Sequence, residues 1–217
     1  MLRIYTPLLI LIVFLSCKKS ETPLVIKNSS DVTAIENPTT FEEKLSNAAL
    51  SIIDASIAYT PDYISIKYPN GDVPANTGVC TDLVIRAYRG VGTDLQKEVH
   101  EDMVKHFKDY PKLWKLKAPD TNIDHRRVPN LMTYFKNKKA DLLVTDKAED
   151  YKPGDLVTWN LQNKKVVSGI THIGIVTDQR SPDGKRYLIA HNIGGGNTIE
   201  DMLFSYTIIG HYRFKGV

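Results

Sequence analysis

The chain has 217 residues, 42% of them hydrophobic and 24% charged, the proportions of a globular protein with one domain and room for a leader. Its 28 Lys and Arg against 25 Asp and Glu leave a formal charge of +3. That is too small to argue for nucleic acid, and no Arg/Lys block with interleaved aromatics occurs. His100 and His106 lack metal-ligand spacing, and Gly194-Gly195-Gly196 lacks the Lys and helix start of a phosphate loop, so neither a metal nor a cofactor is expected.

Residues 1–16 read as a signal peptide. Met1-Leu2-Arg3 is cationic, Ile4 to Leu15 is almost wholly apolar, and the run is too short to span a bilayer comfortably. Its Leu15-Ser16-Cys17 ending resembles a bacterial lipoprotein cleavage box, with Phe14 where Leu is usual. That resemblance implies a lipid on Cys17, export, and attachment in the cell envelope, facing the periplasm and held on the outer membrane. With Cys17 lipidated, Cys80 is the one free thiol of the mature chain. Residues 17–38 are polar and rich in Ser, Thr and Asn, the composition of a flexible tether, and residues 39–217 form the folded domain.

Within that domain Thr40-Phe41-Glu42-Glu43 has the form of a capping box, and Phe41, Leu45, Ala48, Ala49, Ile52 and Ile53 share a helical face, so a helix is predicted to about Tyr59. Tyr63 to Tyr68 alternates like a strand, and Pro69 to Gly78 is turn-rich. Val79 to Tyr88 reads as a helix stopped by Gly90 and Gly92. Thr93-Asp94-Leu95-Gln96 has the form of a second capping box and opens another helix, reaching about Lys108. Tyr110 to Arg127 looks irregular, and Pro129 to Lys138 forms a short helix. Leu142–Thr145, Asp155–Leu161, Ile170–Asp178, Lys185–Asn192 and Tyr206–Phe214 read as strands separated by turn residues, with no helices between them. Helices first and an antiparallel sheet after them make an α+β arrangement.

Cys80 falls at a helix start, where unpaired N–H groups and the helix dipole favour a thiolate and can hold an oxyanion. His172 opens one predicted strand and His191 ends the next. Neighbouring antiparallel strands bring the two rings side by side, His172 as base and His191 fixing its tautomer, while alternation turns Asn192 away. His211, Trp114 and Trp159 read as structural.

These segments resemble the NlpC/p60 peptidases. Gly78-Val79-Cys80-Thr81-Asp82-Leu83-Val84 is similar to their Cys-helix start, Lys152-Pro153-Gly154-Asp155-Leu156-Val157 to their strand entry, His172-Ile173-Gly174-Ile175-Val176 to their base motif, and Ile189-Ala190-His191 to their third polar residue. The likeness implies a papain-like fold, in which N-terminal helices with the Cys at a helix start pack on a C-terminal antiparallel sheet. It also implies a Cys80–His172–His191 triad, with Tyr68 supporting thiolate or oxyanion. Where those peptidases carry an Asp before the Cys to hold a free amine, this chain has Val79, with Thr81 and Asp82 after the Cys; Asp82 or Asp72 would have to supply the charge. Three further segments resemble domain-of-unknown-function family 1287: Asp94 to Met103, Asp120 to Leu131, and Gly210-His211-Tyr212-Arg213. The Asp124-His125-Arg126-Arg127 cluster is a candidate cleft lining, with Arg126 or Arg127 gripping a substrate carboxylate. The expectation is a monomeric cell-envelope amidase or endopeptidase acting on peptidoglycan stem peptides. The alternatives are a thiol enzyme for lipid or acyl substrates, or a wall-binding lipoprotein with a dead site.

Overall fold

In a computed structural model, residues 24–216 are described; the signal peptide and Cys17 lie outside them. Four α-helices, α1 (Phe41–Ser51), α2 (Cys80–Gly90), α3 (Leu95–His106) and α4 (Val128–Asn137), accompany nine strands. Seven strands form one sheet: β1 (Val25–Ile26), β4 (Asp141–Leu142), β5 (Leu156–Asn160), β6 (Thr171–Arg180), β7 (Tyr187–His191), β8 (Thr198–Glu200) and β9 (Thr207–Tyr212). Their order is β1-β8-β7-β6-β5-β9-β4, and every pairing within it is antiparallel. The remaining two, β2 (Ala58–Tyr59) and β3 (Thr77–Gly78), make a small parallel pair. The architecture is α+β, as expected.

The sheet is covered by α1 and α2, both packed on β6. Leu45, Ala49, Leu83, Val84, Ala87, Ile173, Ile175 and Ala190 fill the space between them with no exposed surface. Val157, Trp159, Val176 and Ile189 build a second cluster with Tyr151, Met202 and Leu203. The period-two alternation of β5 and β6 thus serves both faces of the sheet. Trp159 is a packing residue, its indole N–H bonded to the Leu203 carbonyl at 2.9 Å.

Several expectations are corrected. Helix α1 stops at Ser51 because the next backbone turns to the sheet: Asp54 exchanges hydrogen bonds with Asn197, and Ser29 N–H reaches the Ile53 carbonyl. Tyr63 to Tyr68 makes no strand; its backbone polar groups go to side chains, Ile66 N–H to Asn122 and the Lys67 carbonyl to Gln96. The N-cap of α3 is Asp94, which accepts from Gln96 N–H, so Gln96 is freed to tie Gly71, Lys67 and Thr121 together. The stretch assigned to a tether is docked from Val25 onward, as β1 beside β8 and a 3-10 turn at Ser29–Asp31.

Candidate functional site

Helix α2 begins on Cys80 itself, with Val79 extended as N-cap. Asp82 plays the capping part from inside the first turn: its carboxylate accepts from Val79 N–H at 2.7 Å. The Cys80 and Thr81 amides, in the first turn, have no intrahelical acceptor and lie against the sulfur, joined there by the Ile173 amide from β6. These amides favour the thiolate. Burial opposes them and wins: Cys80 is 5% exposed and its thiol is pushed up to about 12, with the Asp82 carboxylate adding to the rise. The activated thiolate expected from the helix start is therefore not the resting form.

His172 is the second residue of β6, 2% exposed, with its ring tilted against Trp159. Its Nε2 meets His191 Nδ1 at 3.0 Å, the two rings edge to face. Burial, then the neighbouring His191, lowers the His172 pKa well below the ordinary histidine value. Beyond it, His191 Nε2 is buried without a hydrogen-bond partner, and Glu200 Oε1, anchored by the Thr198 hydroxyl at 2.9 Å, lies 3.7 Å away, beyond hydrogen-bond length. The His191 ring keeps the Glu200 carboxyl below its usual range, hence ionised. We assign the His191 proton to Nε2, the nitrogen that faces the Glu200 anion. His191 Nδ1 then accepts, His172 Nε2 donates, and the lone pair of His172 falls on Nδ1. Gly174 keeps the space beside the pair open. A Cβ there would lie 2.5 Å from Ile189 Cγ2, 2.9 Å from the Ala190 carbonyl and 3.3 Å from His191 Cβ.

The two halves meet at Ile173, whose amide favours the Cys80 thiolate while its neighbour is His172. Among the described residues no hydrogen bond joins the Cys80 sulfur to the His172 ring. A cleft of about 190 Å³ opens over Cys80, lined by Tyr59, Trp114, Arg126, Arg127, Pro129 and Thr171 among others.

The other sequence candidates divide. Thr81 is buried, its hydroxyl bonded to the Arg126 carbonyl. Asp82 is held by Arg126 through two bonds, 2.8 and 3.0 Å, so it offers no free carboxylate to an amine. Asp72 pairs with Arg86. Arg126 lines the cleft but gives two of its three remaining donors to the Asp62 and Thr60 carbonyls. Asp124 caps Asp120 N–H, and burial raises its pKa. His125 is buried with its Nδ1 unpartnered and its pKa pushed down to about 3 by desolvation. Arg127 lies in the cleft with its guanidinium over the Trp114 ring, 4.2 Å from the centroid. Tyr68 lies elsewhere, its ring against His100. The tyrosine at the cleft is Tyr59, whose hydroxyl pKa is raised first by burial and then by the acidic groups near it, Asp82 among them. Pairing of Tyr59 with Gly78, two residues before Cys80, puts it there. Tyr59, Trp114 and Glu200 were missed because tertiary pairing places them: Tyr59 beside Gly78, Trp114 against Arg127, and Glu200 near His191 across the β7–β8 pair.

Residues 46–214 match the family described as Domain of unknown function (DUF1287). The chain belongs to the DUF1287 family. It is also 48% identical over 170 residues to the Uncharacterized protein YijF of Escherichia coli (strain K12), covering 78% of this chain and 80% of that protein. No solved structure matches it. In this DUF1287 chain the Pro-Gly-Asp turn and the Gly-His-Tyr-Arg segment serve one another. Asp155, fully buried, accepts from Arg213 Nε at 2.7 Å and Nη2 at 2.9 Å, from Lys152 N–H at 2.9 Å, and meets His211 Nε2 at 2.8 Å. The His211 ring stacks on Tyr151, 4.3 Å between centroids. This cluster ties the entry of β5 to the end of β9.

Proposed function

We propose that this DUF1287 chain is an exported thiol hydrolase of papain-like fold, akin to the NlpC/p60 peptidases, that cleaves amide bonds in peptidoglycan stem peptides. The reading rests on one observation: a cysteine at the unpaired first turn of α2, packed against β6 where Ile173 neighbours the hydrogen-bonded His172–His191 pair, with Glu200 3.7 Å beyond it. Both Cys80 and His172 rest neutral, so attack follows a general-base course. His172 Nδ1 takes the thiol proton as the sulfur adds to the amide carbonyl. The Cys80 and Thr81 amides, with the Tyr59 hydroxyl, hold the oxyanion. The C–N bond then breaks, His172 returns the proton to the leaving amine, and water hydrolyses the thioester. The cationic, apolar leader ending in Cys17 supports delivery to the envelope as a lipoprotein, where the wall is the abundant amide polymer. Purified wall sacculi digested with the wild type and with Cys80→Ala should give different fragments by mass spectrometry. Identical fragments from the two would overturn the reading, and retained sacculus binding in both would then point to a scaffold.

A second reading keeps the thiol chemistry and changes the substrate. An apolar groove of about 440 Å³, lined by Met132, Val144, Val167 and Ile209, shares Pro129 with the cleft and suits an acyl chain. Cys80-dependent hydrolysis of acyl thioesters, with sacculi left intact, would favour it.

A further inference from the structure

The cleft over Cys80 carries two charged residues, Arg126 and Arg127, and no acid lines it. Their situations differ. Arg126 has four of its five N–H donors engaged: Asp82 takes Nε and one Nη2 proton, the Thr60 carbonyl the other Nη2 proton, and the Asp62 carbonyl one Nη1 proton. Among the described residues, the Arg127 guanidinium donates no hydrogen bond. It forms an ion pair with Asp124 Oδ1 at 3.6 Å, longer than a hydrogen bond, and both that oxygen and Arg127 Nη1 are buried without hydrogen-bond partners. The side chain is 15% exposed, so it has given up most of its hydration without replacement. The Trp114 ring lies 4.2 Å from the guanidinium carbon, a cation–π contact that holds the group in the cleft without using its N–H donors. A planar cation with unused donors, held by an aromatic ring, matches a carboxylate.

We infer that Arg127 is the specificity residue of this cleft and binds a carboxylate on the substrate next to the bond under attack. The inference rests on Cys80 being the nucleophile. It also reverses the charge read in the peptidases this chain resembles. The acids near Cys80 that might hold an amine are consumed, Asp82 by Arg126 and Asp72 by Arg86. A substrate whose free amine must sit in the cleft meets only arginines there.

Three alkylating probes test this by intact mass: bromoacetyl-glycine, its neutral glycinamide, and a bromoacetyl amide ending in a trimethylammonium group. In each, the sulfur–carbon bond replaces the carbon–bromine bond, bromide leaves, and the thiol proton passes to His172. Rates on Cys80 are divided by the rates of the same probes on glutathione. The wild type should favour the carboxylate over the neutral probe by about tenfold or more, and the cation should be slowest. Arg127→Gln should bring the three ratios together, and Arg127→Lys should restore part of the preference. A Cys80 that reacts with His172 dependence but treats all three probes alike overturns the assignment of Arg127 and leaves the nucleophile standing. If His172→Ala leaves every rate unchanged, the nucleophile reading falls, and this inference falls with it. The wild-type ratios decide the matter even where Arg127→Gln fails to fold.

Discussion

At Cys80 two opposing effects act on one sulfur. First-turn amides of α2 and the Ile173 amide pull the thiol toward ionisation, while near-complete burial beside the Asp82 carboxylate pushes it up to about 12. His172, buried against Trp159 and His191, is held neutral. In the proposed reaction the proton must therefore move, which places weight on the tautomer of His172 and on Glu200 beyond it. Glu200→Gln removes the anion while keeping the shape. It should slow His172-dependent alkylation of Cys80 roughly ten- to a hundredfold. In the same variant, nitrogen NMR of His191 should register more proton on Nδ1. The melting temperature should move little, because the Glu200 side chain is 28% exposed. An unchanged tautomer would remove Glu200 from the proton chain.

At the scale of elements, the site depends on how α2 is fastened. The Asp82–Arg126 pair joins the first turn of α2 to the segment before α4, with both side chains at most 3% exposed. Removing one member strands a buried charge, so Arg126→Ala should cost about 3–5 kcal/mol in urea unfolding, and the Asp82→Leu, Arg126→Met double variant should recover much of it. Elements with strong local signals were legible in the sequence: the Thr40 capping box, with Glu43 bonding back to Thr40 N–H, and the alternating strands β5, β6 and β7. The pairing of His172 with His191 was legible too, because strand order and alternation fix which side chains meet. Tyr63 to Tyr68 misled because its alternation is real, but its hydrogen bonds are met by Asn122 and Gln96, distant side chains that outcompete a strand partner. Strands β1 and β8, two and three residues long, carry too little pattern to read. The roles of Asp82 and Arg126 were read as substrate contacts because charge composition cannot tell which acid a base will meet.

For the molecule as a whole, acid is the expected weakness. His125 and His172 are buried neutral, with His125 pushed down to about 3. The unfolded chain takes up protons on both near pH 6.5, while the folded chain refuses them. Stability present above pH 6.5 is therefore lost as the pH falls, at about 1.4 kcal/mol per pH unit for each histidine. Urea midpoints at pH 7, 6 and 5 should fall in step, and His125→Phe should flatten the slope. A midpoint constant over that range would mean that these rings are solvated or charged.

The edge strand β1 also bears on geography. Val25 is fixed beside Glu200 on β8, eight residues after Cys17. Eight residues reach about 28 Å at full stretch, against about 75 Å had the chain been free as far as Thr39. With a lipid on Cys17, the domain would ride close to the bilayer surface and turn the Glu200 edge of the sheet toward it. Its catalytic radius would be a thin layer above the lipid headgroups rather than the depth of the wall.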